Sequence, residues 1–291
     1  MLVSSGPTRP HRGLVVRSLA ALLVLTLIPN AASGQSRLIF GGDAVVRSSY
    51  VWRGVTRVSG WVLQPDAFLS ASFPRLSVTA GWWGTVEISS PDPTDPADAG
   101  LGQTWFGEND LWAEVAGRSE SVDFAGGITR YLFAGGAFGQ SADAVNTTEL
   151  YAASGLGLGP TVPRIALWYD VDRVRGAYVE TSVDLRVPVL PSYEPIVALY
   201  LSTLAGWSIG QEINAGKPEE AAYFSQAGLT HVDLGLEAMV GQGQRYVTFE
   251  LHFLFARDGG ARSDVGAGTG DDTSWWLGLG FSDSTILDGL R

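Results

Sequence analysis

The chain has 291 residues, with 30 acidic residues against 19 basic ones, only one lysine (Lys217), and a formal net charge of −11. Such a balance excludes nucleic acid as a partner, because phosphate contacts need a basic surface. There is no cysteine, which excludes disulfide stapling and thiol catalysis.

Residues 1–34 read as a signal peptide. Met1 to Arg17 carries Arg9, Arg12 and Arg17 and no acid, Ser18 to Ile28 is an apolar core of 11 residues, and Ala31-Ala32-Ser33-Gly34 offers small residues for cleavage. That is the layout of a secretory signal. The apolar core is too short for a spanning helix, which needs about 20 residues. Residues 35–291 are then expected to form one large domain.

From there the chain alternates between apolar and polar residues in twelve segments. The first runs near Leu38 to Trp52, with Phe40, Ala44 and Val46 on one face and Asp43 and Arg47 on the other; a polar link (Arg53 to Gly60) follows. Trp61 to Phe73 sets Leu63, Ala67 and Leu69 against Gln64, Asp66 and Ser70, and turns tightly at Phe73-Pro74-Arg75 into Leu76 to Ile88. An acidic loop, 89–107, leads to Glu108 to Ala116, a tight turn, and Ser121 to Phe133. A second long link (Ala134 to Asn146) precedes Thr147 to Gly157, which reaches Pro163 to Asp170 through a Gly/Pro turn.

The next segment is the clearest: Ala177, Val179, Val183, Leu185 and Val187 face one way, and Tyr178, Glu180, Ser182, Asp184 and Arg186 the other. A segment from Pro195 runs at least to Thr203, with alternation continuing to Ile209; a long loop, about 204–227, holds a candidate short helix at Pro218 to Gln226. Gly228 to Met239 and Gln244 to Phe255 form a hairpin centred on Gly241-Gln242. A Gly/Asp link (Ala256 to Asp272) then leads to Thr273 to Ser282 and a short tail, 283–291.

Period-2 alternation marks strands. Twelve such strands with one apolar face each, joined by links that alternate between short and long, predict an all-β fold, a closed antiparallel transmembrane β-barrel. A strand protein in a bilayer must close on itself, since lipid satisfies no open backbone group. The even count places both termini on one side, the periplasm, and the chain in the outer membrane. Ten tryptophans and nine tyrosines suit interfacial girdles. The expected partners are outer-membrane lipid and lipopolysaccharide, the barrel-insertion machinery during assembly, and small solutes. Trp275, Leu277, Leu279 and Phe281 alternate like the aromatic last strand that the machinery reads, although ten residues follow Phe281.

The run Ser48-Ser49-Tyr50-Val51-Trp52-Arg53-Gly54-Val55-Thr56, followed by Gln64 and by Ala80-Gly81-Trp82-Trp83-Gly84, resembles the start of the TorF-like family of outer-membrane porins. Val51 adds a residue before the aromatic, and Arg57 stands where the family more often has Gln. The resemblance implies a porin and assigns no substrate or catalytic residue.

With apolar faces outward, the expected pore lining is Asp43, Arg47, Asp66, Glu87, Glu114, Asp123, Glu149, Arg164, Asp170, Glu180, Asp184, Arg186, Asp233, Glu237 and Glu250. Acid-rich linings favour cations, which predicts passive diffusion of small polar, cationic solutes. Opposed across the last hairpin, His231, His252, Asp233 and Glu250 form a candidate transition-metal site or proton shuttle; a lumenal hydrogen-bond ladder is the plainer reading. Asp92, Asp95 and Asp98, and Asp264, Asp271 and Asp272, offer oxygen ligands for calcium without the spacing of a defined calcium loop. No resident cofactor is expected. Arg53, Arg57, Arg130, Arg173 and Arg175 lie near outer strand ends, where arginine can meet lipopolysaccharide phosphates.

A barrel enzyme, lipid-directed or metal-dependent, and a closed structural or adhesion barrel are the alternatives. Gly206-Trp207-Ser208-Ile209-Gly210 matches GxSxG, but on a strand rather than a strand-to-helix elbow. Thr230 is expected to point away from its neighbour His231.

Overall fold

The computed structural model describes residues 36–58, 60–88, 107–133, 146–190, 195–212, 222–257 and 274–287. Twelve strands carry the wall: β1 (Arg37–Arg47), β4 (Val62–Ser72), β5 (Leu76–Glu87), β6 (Glu108–Ser119), β7 (Val122–Phe133), β8 (Thr147–Leu156), β9 (Thr161–Asp170), β10 (Ala177–Leu190), β11 (Ile196–Ile209), β12 (Gly228–Gln242), β13 (Arg245–Ala256) and β14 (Ser274–Leu287). Two short strands, β2 (Tyr50–Trp52) and β3 (Val55–Val58), form a hairpin of their own.

Every wall strand pairs antiparallel with its sequence neighbours in the wall, and β14 closes on β1 from Leu38↔Leu287 to Arg47↔Gly278. Closure leaves no edge, so each strand's backbone groups are met on both sides, the condition a bilayer imposes. The last strand runs to Leu287, so part of the expected tail is wall.

Alternate residues point out, and these are the apolar ones. Phe40, Leu69, Leu111, Ile165, Leu201, Leu236, Phe249, Phe253, Trp275 and Phe281 are all exposed. A fully exposed Leu or Phe forgoes about 1.5–3 kcal/mol of burial in water. A water-soluble surface rarely carries an apolar patch beyond a few hundred Å². A belt that encircles the wall therefore fits a hydrocarbon surrounding.

The wall has a turn end and a link end. At the turn end lie the short connections, β4 to β5, β6 to β7, β8 to β9 and β12 to β13, together with the start of β1 and the end of β14. Glu120 and Gly243 adopt positive φ in two of these turns. The β12–β13 turn sits at Gly243-Gln244, between the pair Gln242↔Arg245, rather than at Gly241-Gln242. At the opposite end, the first link departs from expectation. β1 stops at Arg47, and what read as the end of a strand and a polar link is the β2–β3 hairpin. In the long loop, Ala222 to Gln226 is not helical, and Glu212 bridges Phe224; Pro218 to Ala221 lie outside the described residues.

A candidate constriction in the lumen

The hairpin begins at the rim. Ser48 is tied to β14 by its N–H donating to the Leu277 carbonyl (2.9 Å) and its hydroxyl accepting from the Leu277 N–H (3.1 Å). Tyr50 pairs with Val58 and Trp52 with Val55. The tip residues Arg53 and Gly54 both have positive φ, 51° and 82°. Two such residues make the tight turn whose twist matches paired strands. Gly54 is also pressed against the wall: a Cβ there would lie 2.5 Å from Cγ of His231.

The tip reaches the far side. In the ring, β9 is the sixth strand from β1 in either direction. Arg53 binds Glu149 of β8 with two bonds, Nη1 to Oε1 at 2.8 Å and Nη2 to Oε2 at 2.6 Å. Its guanidinium lies 4.4 Å from the Trp52 ring, 4.5 Å from Tyr178 of β10 and 5.4 Å from Trp168 of β9. Bidentate pairing and aromatic stacking are what arginine does and lysine does not. Burial alone would lower the Arg53 pKa, but the Glu149 carboxylate outweighs it and holds the guanidinium above its ordinary value.

The base of the hairpin meets the near wall. Tyr50 donates to Glu108 Oε2 at 2.9 Å and packs 5.8 Å from Trp83. Arg57, 4.6 Å from the Trp52 ring, is buried, as are Glu108 and Asp110. A second segment packs beside the hairpin at the link end. Phe224 stacks on Tyr178 (6.0 Å) and Trp52 (6.4 Å), and Tyr223 donates to Asp170 Oδ2 at 2.6 Å. Asp170 also accepts from Thr147 (2.7 Å) and from the N–H groups of Asp172, Arg173 and Val174. Burial, reinforced by the Asp170 and Glu149 carboxylates, pushes the Tyr223 hydroxyl well above the usual tyrosine range.

Elsewhere the lumen holds polar side chains and space. Arg47 donates to Glu250 at 3.0 Å and to Gln64. His252 shares a 2.9 Å bond with Asp233 and stacks on Trp276, centroids 3.9 Å apart. Tyr151 donates to Glu114. A cavity of about 610 Å³ is lined by Glu114, Arg118, Asp123, Arg164 and Glu180, among others. A second of about 400 Å³ is lined by Arg164, Asp184, Arg186, Tyr200, Glu237 and His252, among others.

The register puts all fifteen residues read as lining on the lumenal face, but it divides them. Glu149 and Asp170 are fully buried in the packing around the hairpin and line no open space. Arg53 and Arg57 are not at outer strand ends facing lipid; they lie inside the barrel. Arg130 does point outward at the rim, where it pairs with Asp172 at 2.6 Å.

The four-residue metal constellation does not assemble. The shifted turn places His231 opposite Ala256, His252 opposite Gly235, and Glu250 opposite Glu237. Among the described residues no three His, Asp or Glu side chains are placed to hold a metal ion. Thr230 does not point away from His231. His231 pairs with Gly206 but Leu229 pairs with Trp207, so Thr230 bulges, and its hydroxyl lies 3.0 Å from His231 Nδ1. Ser208 faces the lumen and donates to Glu212 at 3.1 Å, not to an imidazole. The aspartates of the two acidic links lie outside the described residues.

No family model matches the chain, and no curated protein matches it. Solved structures do. LpxR from Salmonella typhimurium is 9% identical, with a TM-score of 0.50 over 84% of this chain and 99% of that one. An outer-membrane channel from Pseudomonas putida F1 is 13% identical, with a TM-score of 0.41 over 88% and 98% of the two chains. The translocator domain of the autotransporter NalP from Neisseria meningitidis is 10% identical, with a TM-score of 0.37 over 92% and 94%. At such identities the likeness is one of fold, and the fold is that of outer-membrane β-barrels.

Proposed function

We propose that this chain is an outer-membrane diffusion channel for small polar solutes, with a weak preference for cations and a constriction made by the β2–β3 hairpin. The apolar belt supports the membrane setting, and the short turns and both wall termini would then face the periplasm. The observation that carries the reading is the pairing of a hairpin that crosses the lumen at the link end with charged cavities of about 610 and 400 Å³ beyond it. Acids outnumber arginines on the lumenal face, which favours cations. The resemblance of residues 48–84 to TorF-like porins agrees with this.

The test is single-channel conductance of the refolded chain in a planar bilayer under a salt gradient, beside a variant in which a short Gly/Ser linker replaces residues 49–59. The full chain should conduct weakly with a cation-preferring reversal potential, and the variant should conduct several-fold more. No conductance from either, with both folded as heat-modifiable barrels, would overturn the channel and leave a closed barrel.

A further inference from the structure

The 400 Å³ cavity is a candidate binding site, and its charges are not all accounted for. Arg164 meets Asp184 at 3.5 Å, and His252 takes Asp233 at 2.9 Å. Arg186 and Glu237 line the same space, yet among the described residues neither has an ion pair or a side-chain hydrogen bond. The Arg186 guanidinium lies 5.9 Å from the ring centroid of Tyr200. Register explains the arrangement. Arg186 lies opposite Tyr200, and Tyr200 lies opposite Glu237, so a cation and an anion flank one tyrosine on three adjacent strands. Two strand spacings separate their backbones by about 10 Å. Glu250, the next neighbour of Glu237, is taken by Arg47.

An arginine and a carboxylate that line one cavity and have no ion-pair partner among the described residues are complementary to a ligand carrying both opposite charges. We propose that this cavity binds a small zwitterion, an amino acid or short peptide, with its carboxylate on Arg186 and its ammonium on Glu237. This names the solute class for the channel and rests on that reading. A neutral sugar would leave both charges unanswered, and a simple cation would answer only one. Arginine offers a carboxylate a planar two-pronged donor; Tyr200 lies between the two charges in register, and the Gly235 backbone lines the same space.

The experiment is calorimetric titration of the detergent-folded full chain with glycylglycine, with its N-acetylated form (anion only) and with its C-terminal amide (cation only). Conductance is recorded on the same preparation. Glycylglycine should bind about tenfold or more tightly than either blocked form, since each charge-assisted bond lost costs at least that much. Arg186→Gln should remove the preference over the C-terminal amide and Glu237→Gln the preference over the N-acetylated form, and the exchange Arg186→Glu with Glu237→Arg should restore both. Equal affinity for the three probes, no binding to a folded barrel, or a preference that survives both single variants would overturn the site. Conductance without the preference removes the site and leaves the channel. Binding without conductance removes the channel and leaves the site.

Discussion

Removing Arg53 should undock the hairpin. The Arg53 and Glu149 side chains are 7% and 1% exposed, so their two bonds are made out of water. Arg53→Ala leaves the Glu149 carboxylate buried with, among the described residues, only the Tyr131 hydroxyl, 2.9 Å away, still donating to it. Stranding one partner of a buried pair costs about 3–5 kcal/mol. Loss of the contacts to Trp52, Tyr178 and Trp168 adds to this, at about 0.5–2 kcal/mol each. The first figure alone shifts the docked-to-undocked ratio by roughly two to three and a half powers of ten, at 1.4 kcal/mol per tenfold. Amide hydrogen exchange over Tyr50–Val58 reads this directly and independently of conduction. Protection of these amides should collapse while that of β10 and β11 holds. The paired replacement Arg53→Met with Glu149→Gln should keep much of the protection, because a buried pair exchanged for neutral groups of similar size is often nearly neutral. Unchanged protection in Arg53→Ala would refute the claim that this pair holds the hairpin across the lumen.

Three further outcomes are expected. Gly54→Ala combines strain at φ 82° with a Cβ 2.5 Å from His231, whereas Gly159→Ala meets strain at φ 65° but nothing within 4 Å; the overpacking should make the first destabilise the barrel by about 1–3 kcal/mol more in urea unfolding, and equal effects would count against close docking at His231. Tyr223 has a raised pKa, so its bond to Asp170 is fully present below the ordinary tyrosine value of about 10 and is lost as pH rises through the higher folded value. The tyrosinate absorbance lost in Tyr223→Phe should therefore appear only above pH 10, and titration at or below 10 would contradict the buried bond. Leu201→Arg, on the outward face, should cost about 2–4 kcal/mol of folding free energy in vesicles, whereas Ser202→Arg, one residue on and facing inward, should cost far less; similar costs would mean the two faces have been misassigned.

The barrel was legible in the sequence because lipid and lumen impose opposite chemistries on alternate residues. On β10 and β13 that rule leaves almost no exception, and the twelve wall strands follow from it. The constriction was not legible, because an aromatic at the end of a strand looks the same whether it meets lipid or folds inward. Tyr50 and Trp52 extended the alternation of β1 and so masked its end at Arg47. The usable signal was Val55 and Val58, apolar residues in what read as a solvated link, both nearly or fully buried. The metal constellation failed on register. Moving the turn from Gly241-Gln242 to Gly243-Gln244 keeps every side chain on its face but changes every partner, so alternation cannot see it. The bulge at Thr230 is equally silent, since an extra residue in one strand alters pairing without altering composition.

The hairpin also works as a gauge of the wall. From Ser48 to Arg53 the arm has six residues, and an extended chain spans at most about 3.3–3.6 Å per residue, or roughly 20 Å in all. Barrel diameter grows with strand number. A duplication that added a pair of strands would carry Glu149 and the β9–β10 aromatics outward, beyond the arm's grasp, unless residues were inserted into the link at the same time. Girth and link length are therefore coupled in this chain. Relatives with a wider wall should carry either a longer first link or no arginine at its tip.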